Sequence, residues 1–393
     1  MKILIIHQVP YRKIQYHRAL DHDVHDITYV GLEDRLADVP QSLKCRKLTL
    51  PDDGGLVEGV IAVTSAQDGY EAVLALSEFG ILEAAEIRRY LGLPDPDGYR
   101  PELIRDKVTM KQAVGAADLK IPRFMAVTSS NTAAPWSGPT VSKPRRGASS
   151  EGITIWPDPA SALKHCRAKP DAADFEVEEF ISGDIFHADG IVRNGVVKNL
   201  VVSKYINKPL DYISGAPLGS VQQPYDAGRH GFVQNIVDVL KISVGALHLE
   251  FFEGDQVGRV FLEVANRVGG AGVIEAHEAH TGVHLPSDEI TARLGWPQPP
   301  PQRPTGKYHG WLVFPGHHLS AEQKWTLGFP SDVVQPPEID EIFKLPEGAS
   351  FPRDVTYHEW RVPAFVRASS DNAENLERLL RRLATGARIE AVS

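Results

Sequence analysis

Two short segments constrain this chain more than any others: Leu247-His248-Leu249-Glu250-Phe251 and Val260-Phe261-Leu262-Glu263-Val264-Ala265, the latter running on into Asn266-Arg267-Val268-Gly269-Gly270. Both alternate with the period of two that belongs to a β-strand. Leu247, Leu249 and Phe251 share one face, as do Val260, Leu262 and Val264, while His248, Glu250, Glu263 and Ala265 fall on the opposite side. Each strand thus has an apolar face and a chemical one. Between them Gly254-Asp255-Gln256-Val257-Gly258 is rich in turn formers, and an antiparallel hairpin folded about its centre sets Glu250 opposite Glu263. A slip of one residue turns one carboxylate to the other face. Two like charges directly opposed on a sheet repel, so a divalent cation between them explains the pair, and oxygen ligands suit Mg²⁺. The bland alternative is a solvated polar face.

The rest of the composition bounds the answer. At 393 residues the chain accommodates two or three domains, each with its own core. A formal net charge of −9 argues against a general nucleic-acid or anionic-membrane surface, because phosphate backbones are held by clustered Lys and Arg. Cys45 and Cys166 are too few and too far apart for a disulfide framework or a thiolate metal site, which fits a reducing cytoplasm. Met1 to Ile6 is apolar too briefly for a signal peptide or a membrane span. Trp296 to Pro304 is proline-rich and reads as a linker.

Three regions follow. Residues 1–101 form a small α/β unit, with a buried opening strand, a second strand at Val60–Thr64, and a helix capped by Ser77 that carries Ile81, Ala84, Ala85 and Leu91 on one side before Gly92 and Pro94 stop it. Residues 102–295 hold a helix at Asp106–Ala117 and strands at Phe124–Val127, Thr140–Lys143, Ile153–Trp156 and Phe175–Ile181. A hairpin follows at Asn194-Gly195, then a helix marked by Val233, Ile236, Val237 and Leu240. Residues 305–393 form a smaller module with a strand at Tyr308–Phe314 and an amphipathic helix at Asn372–Leu383.

Lys143 ends a strand and is followed by Pro144-Arg145-Arg146-Gly147-Ala148-Ser149-Ser150-Glu151-Gly152. Such a loop offers backbone N–H groups, hydroxyls and positive charge that can wrap a polyphosphate. His277, His280 and His284 lack the spacing of a zinc protease, and a place in a substrate pocket suits His277 better, since it follows directly on Gly269-Gly270. His248 shares the face of Glu250 and reads as its partner. Asp288 and Glu289 read as a solvated helix face, as do Arg378, Arg381 and Arg382.

The order of these pieces is more specific than any one of them. Arg105-Asp106-Lys107 with Met110-Lys111, then Val141-Ser142-Lys143-Pro144, the Gly/Ser loop, Val177-Glu178-Glu179-Phe180-Ile181-Ser182-Gly183, Leu247 to Glu250 and Phe261 to Gly270 resemble the ATP-grasp superfamily of ATP-dependent carboxylate–amine ligases over roughly the first 300 residues. The resemblance implies a mixed α/β and α+β fold: a Rossmann-like N-terminal domain over 1–101, an ATP-grasp core over 102–295 whose lid subdomain spans about 119–182, and a C-terminal α+β module over 305–393. It also implies roles. Lys107 and Lys143 match the lysines on the nucleotide phosphates. Arg146 to Gly152, with Ser149 and Ser150, match the loop that closes over them. Glu178, Glu179 and Ile181 match the segment that meets adenine, and Asp184 falls where a Glu often holds the ribose. Glu250 and Glu263 match the carboxylates that bridge Mg²⁺, or Mn²⁺, to the terminal phosphates. Arg267 matches the cation near the transferred phosphoryl group, so that Arg267 and Lys143 are the catalytic pair. Gly269, Gly270 and His277 adjoin the substrate.

One departure stands out. Many members read Glu-x-Asn-x-Arg, whereas this chain puts Ala265 where that Asn completes a metal site, and Asn266 comes one residue later. Asn266 serves as a metal ligand only if a bulge re-aims it. A small residue at that place resembles the amino-acid ligases, the peptide-forming branch of the family. The activity implied is amide formation through an acyl phosphate, with ADP and phosphate released. The substrates implied are a small carboxylate and an amine, amino acids among them, on an enzyme with homodimer as the default state. A kinase, a purine-type carboxylating or acyl-transferring enzyme, and a non-catalytic ATP-binding module are the alternatives.

Overall fold

The structure, a computed structural model, describes all residues except 52–53, 96–98, 131–132, 320–323, 331–335, 347–348, 351, 353 and 393. Strands β1 (Lys2–Ile6), β2 (Asp26–Gly31), β3 (Arg46–Thr49) and β4 (Ala72–Ala75) form a parallel sheet in the order β3-β2-β1-β4. The opening strand is apolar at successive positions because both faces of a parallel sheet are covered. Ile3 and Ile5 enter one core, Leu4 and Ile6 another. The expected strand at Val60–Thr64 is instead the end of a helix, Leu56–Val63. Its β-branched residues suit a strand, but Leu56, Val60 and Val63 recur at helical spacing and pack with Ala84 and Ile87 of the helix Ile81–Tyr90. Ser77 caps a 3₁₀ turn, Glu78–Gly80, that leads into that helix, and Gly92 ends it at φ +72°.

A small antiparallel sheet follows, built of β5 (Phe124–Ala126), β6 (Thr140–Pro144), β7 (Thr154–Trp156) and β8 (Phe175–Glu179) in the order β5-β8-β6-β7. The remaining long strands are β9 (Asp184–Arg193), β10 (Val196–Tyr205), β11 (Leu218–Gln222), β12 (Val244–Gly254), β13 (Gly258–Ala265), β14 (Tyr308–Phe314), β15 (Lys324–Gly328), β16 (Ile339–Lys344), β17 (Ala364–Ser370) and β18 (Arg388–Val392). Eight of them make one antiparallel sheet, ordered β13-β12-β9-β10-β11-β14-β17-β16, so the segment after the proline run is woven into the sheet that carries Glu250 and Glu263. Asn194 and Gly195, both at positive φ, close the β9–β10 hairpin as a type I′ turn requires.

One face of this sheet, with Leu247, Leu249, Phe251, Phe261 and Val264, packs on Met110 and Val114 of the helix Lys107–Ala116 and on Phe232, Val233 and Ile236 of the helix Ala227–Val239. Phe251 and Phe261 are fully buried, each worth about 1.5–3 kcal/mol. The other face meets the helices Val273–Thr281 and Leu285–Arg293 and, beyond them, the parallel sheet. Asp288 and Glu289, expected in solvent, are buried here on Arg193 and Arg293 respectively.

Candidate active site

The hairpin β12–β13 pairs Glu250 with Glu263, as the alternation requires. The next paired residues are Phe251 and Phe261, so Leu262 is the extra residue of a bulge. Leu262 and Val260 therefore both leave the face expected for them and lie with Ile185 and Phe252 on the side of the carboxylates.

Around Glu250 the polar groups form a chain. The Tyr205 hydroxyl donates to Glu250 Oε1 at 2.7 Å, and His248 Nε2 lies 3.6 Å from the same oxygen. His248 Nδ1 meets Asp189 Oδ1 at 2.8 Å, and Asp189 Oδ2 meets His187 Nδ1 at 2.5 Å. Burial favours neutral forms here, yet the Asp189 carboxylate prevails and raises His248 to about 9. Burial likewise pushes Glu250 up, but His248 and Tyr205 hold it below the ordinary carboxylate value. Sequence reasoning missed Asp189, His187 and Tyr205, because their contacts join residues on three strands. The available signal was the alternation Phe186-His187-Ala188-Asp189, polar groups on one face of an otherwise apolar strand. Asp189 and His248 also explain Gly269: a Cβ there would lie 2.6 Å from Asp189 Oδ1 and 2.9 Å from His248 Nδ1.

Glu263 is less enclosed, with its side chain 33 % exposed and Lys107 Nζ at 3.4 Å. Lys107 begins its helix just after Asp106, whose side chain caps it by accepting from Val108 and Thr109 N–H. Three successive carbonyls of the Gly/Ser loop are tied to this corner. Arg145 O accepts from Lys107 N at 3.0 Å, Arg146 O from Arg105 Nη2 at 2.8 Å, and Gly147 O from Lys107 Nζ at 2.6 Å. Beyond it Ser149, Ser150 and Gly152 sit in the left-handed region. Arg146 is exposed, 3.7 Å from Asp106.

Lys143 belongs to a different cluster. Its Nζ lies 2.8 Å from Glu178 and 3.8 Å from Glu176, while Lys111 Nζ meets Glu176 at 2.7 Å and also Glu178. All four are buried. Burial lowers Lys143, but Glu178, Glu176 and more distant Glu263 prevail and raise it above the ordinary lysine value. Burial works against ionised Glu178 too, yet Lys111 and Lys143 hold it down to about 2. Glu176 is raised by burial, and its Oε2 has no hydrogen-bond partner among the described residues. Glu176 was not singled out from the sequence, and Lys111 stands there only within the motif beside Lys107, with no role given to it.

The other expected residues scatter. Glu179 is bound through its side chain to Arg123, Ile181 packs beside Ile185, and Asp184 pairs at the surface with Lys204 at 2.8 Å. Two expectations are corrected. Asn266 is buried with its amide donating to the carbonyls of Val244 and Ala246 and its oxygen accepting from Arg293, so its side chain turns away from the paired carboxylates and is not placed to ligate a metal between them. His277 is fully buried with its ring nitrogens on the carbonyls of Val283 and Asn199, outside the large cavity, and is a structural histidine rather than a substrate contact.

That cavity, about 780 Å³, falls in the range of small-molecule sites. Lys107, Gly147, Ser149, Ser150, Glu250, Glu263, Arg267, Gly269 and Gly270 all line it, together with Glu78 of the parallel-sheet region and Tyr357 from the C-terminal third. Among the described residues, no helix is long and apolar enough to cross a membrane.

No family model matches the chain. The chain is similar to the L-arginine-specific L-amino acid ligase of Bacillus subtilis, 21 % identical over 235 residues, which is 55 % of this chain and 56 % of that protein. The matches span about half the length of the curated relatives. Among solved structures, the L-amino acid ligase of Bacillus licheniformis superposes with a TM-score of 0.73 at 20 % identity, covering 100 % of this chain and 99 % of that one. The N5-carboxyaminoimidazole ribonucleotide synthetase of Thermotoga maritima does so with a TM-score of 0.64 at 14 % identity, again over 100 % and 99 %.

Proposed function

We propose that this chain, which has the ATP-grasp fold of the synthetases and ligases it superposes on, is an ATP-dependent carboxylate–amine ligase that forms an amide bond through an acyl phosphate. One observation carries the reading. Two opposed carboxylates, a lysine tied to a Gly/Ser loop, and an arginine open into the same cavity, the constellation that phosphoryl transfer to a small acceptor needs.

Glu250 and Glu263 offer hard oxygen donors, with Lys107 3.4 Å from Glu263 the one cation within ion-pair distance of it among the described residues, a donor set that fits Mg²⁺. When bound there, Mg²⁺ supplies charge neutralisation at the terminal phosphates. Lys107 and the N–H groups and hydroxyls of Ser149 and Ser150 bind the phosphate chain; Lys143, outside the cavity lining and paired with Glu178, reaches the phosphates only by leaving that pair when nucleotide binds. Arg267 stabilises charge as the substrate carboxylate oxygen bonds to the γ-phosphorus and the bond to the β-phosphate oxygen breaks, leaving ADP. The amine then attacks the activated carbonyl, phosphate departs, and the amide remains. The loop 145–152 excludes water from the acyl phosphate meanwhile.

A screen of amino acids and small carboxylates in pairs, with phosphate release and mass spectrometry of the products, tests this. ADP and phosphate are expected, dependent on the carboxylate, and hydroxylamine should trap a hydroxamate when the amine is withheld. AMP and pyrophosphate as products would overturn the mechanism. The likeness to N5-carboxyaminoimidazole ribonucleotide synthetases over the whole chain keeps a purine-type carboxylating enzyme as the second reading, recognised if no amino-acid pair in the screen supports phosphate release.

A further inference from the structure

Glu78 takes no part in the chemistry above, yet it is the one acidic residue of the N-terminal third that lines the cavity among the described residues. It is buried, and both of its oxygens are used. Oε1 accepts from Arg105 Nη1 at 2.5 Å and Oε2 from Arg267 Nε at 3.0 Å. Its backbone is held as well: Ser77 caps the turn by accepting from Phe79 N–H, and Gly80 N–H donates to Ser77 O at 3.1 Å.

Each arginine has a second attachment. Arg267 Nη1 donates to Val268 O at 2.7 Å, which leaves Nη2 without a protein partner among the described residues and free for the cavity. Arg105 Nη2 donates to Arg146 O, the middle of the three loop carbonyls held at this corner. An unbroken path of charge-assisted hydrogen bonds therefore runs from the Gly/Ser loop through Arg105 and Glu78 to Arg267. A guanidinium gripped at Nε by a carboxylate is fixed in plane and direction, which a lone exposed arginine is not.

We propose that Glu78 is a positioning residue that couples closure of the loop 145–152 to the orientation of Arg267. The bond from Arg105 to Arg146 O is already made in the structure, and nucleotide held under the loop keeps it made: Arg146 O fixes Arg105, Arg105 fixes Glu78, and Glu78 aims Arg267 at the transferred group. The role of Arg267 rests on the ligase reading; the path from loop to arginine does not.

Two measurements separate the two. Hydrogen exchange with and without Mg-ATP should show slowing across 145–152 and also across the turn 77–80 in the native protein. In Glu78→Gln and in Arg105→Gln, the first should remain and the second disappear. No slowing at 77–80 in the native protein, or equal slowing in both variants, would overturn the proposal even if no substrate is known. Kinetically, Glu78→Gln should lower kcat about 100-fold while the Kd for Mg-ATP stays within about threefold, the mark of misaimed rather than missing groups. An unchanged kcat, or kcat and nucleotide binding falling together, would count against it. Should Glu78→Gln not fold, Arg105→Gln cuts the same path on the loop side and should give the same split. A native protein without carboxylate-dependent ADP release would sink the ligase reading alone.

Discussion

The small sheet of β5 to β8, the lid expected from the sequence, and the hairpin hold charge in opposite ways. Where the helix Lys107–Ala116 meets that sheet, Lys111, Lys143, Glu176 and Glu178 are sealed from solvent and neutralise one another two by two. At the hairpin Glu250 and Glu263 face each other with one histidine, one tyrosine and one lysine at 3.4 Å, and a third of Glu263 is open to solvent. A fully compensated buried cluster is structure, since removing one member strands another in low dielectric. An under-compensated pair at a cavity wall is held in place by the fold and left for something that arrives with positive charge.

The comparison breaks most sharply at Glu263. Glu263→Ala should remove carboxylate-dependent phosphate release by far more than the roughly 10- to 100-fold that losing an outer-shell partner costs, with no loss of melting temperature. Near-native turnover would make the hairpin a plain polar surface. Lys111→Met should do the reverse, destabilising the lid by about 3–5 kcal/mol, seen as lost exchange protection in β6 and β8, because Glu176 and Glu178 then share one lysine. Lys143→Ala stands between the two. It should weaken ATP binding by about 1.5–3 kcal/mol in titration, as loss of a charged hydrogen-bond donor does, and soften the lid as well.

The smallest effect is a slope with pH. Burial lowers His284 and His358 to about 4, with neighbouring cations adding to it. The unfolded chain takes up these protons from about pH 6.5 downward and the folded chain resists, so the stability they contribute is full above 6.5 and lost as pH falls toward 4. Melting temperatures should drop across that interval, and His284→Asn should flatten the drop. A melting temperature that rises on acidification would contradict the burial of these rings.

What could be read in advance follows from the range of the forces. The period of two in β12 and β13 and the turn between them put Glu250 opposite Glu263, because both signals are local, though a one-residue slip in register is open until the structure pairs them. The bulge at Leu262 was invisible, since it depends on how Phe261 seats against Phe232 and Phe251 across the core. Val60 misled because its β-branch speaks for a strand, while the helix it joins is decided by packing on Ala84 and Ile87. Position in the chain puts His277 beside the substrate and Asn266 at the metal; in space, backbone carbonyls claim both. Glu78 could not be seen at all, 189 residues from the arginine it grips.

The continuity of the large sheet bears on how the chain comes to its final form. Strand β11 finds its outer neighbour only in β14, and the apolar residues around Leu312, Val366, Leu376 and Leu380 belong to the last part of the chain. A nascent polypeptide that has emerged only as far as the proline run has Glu250 and Glu263 in hand but ends its sheet on a bare edge, the kind of edge that pairs with other chains. Maturation of the catalytic half thus waits on the synthesis of its C-terminal companion, and a fragment cut at Pro304 should aggregate rather than persist as a smaller working unit.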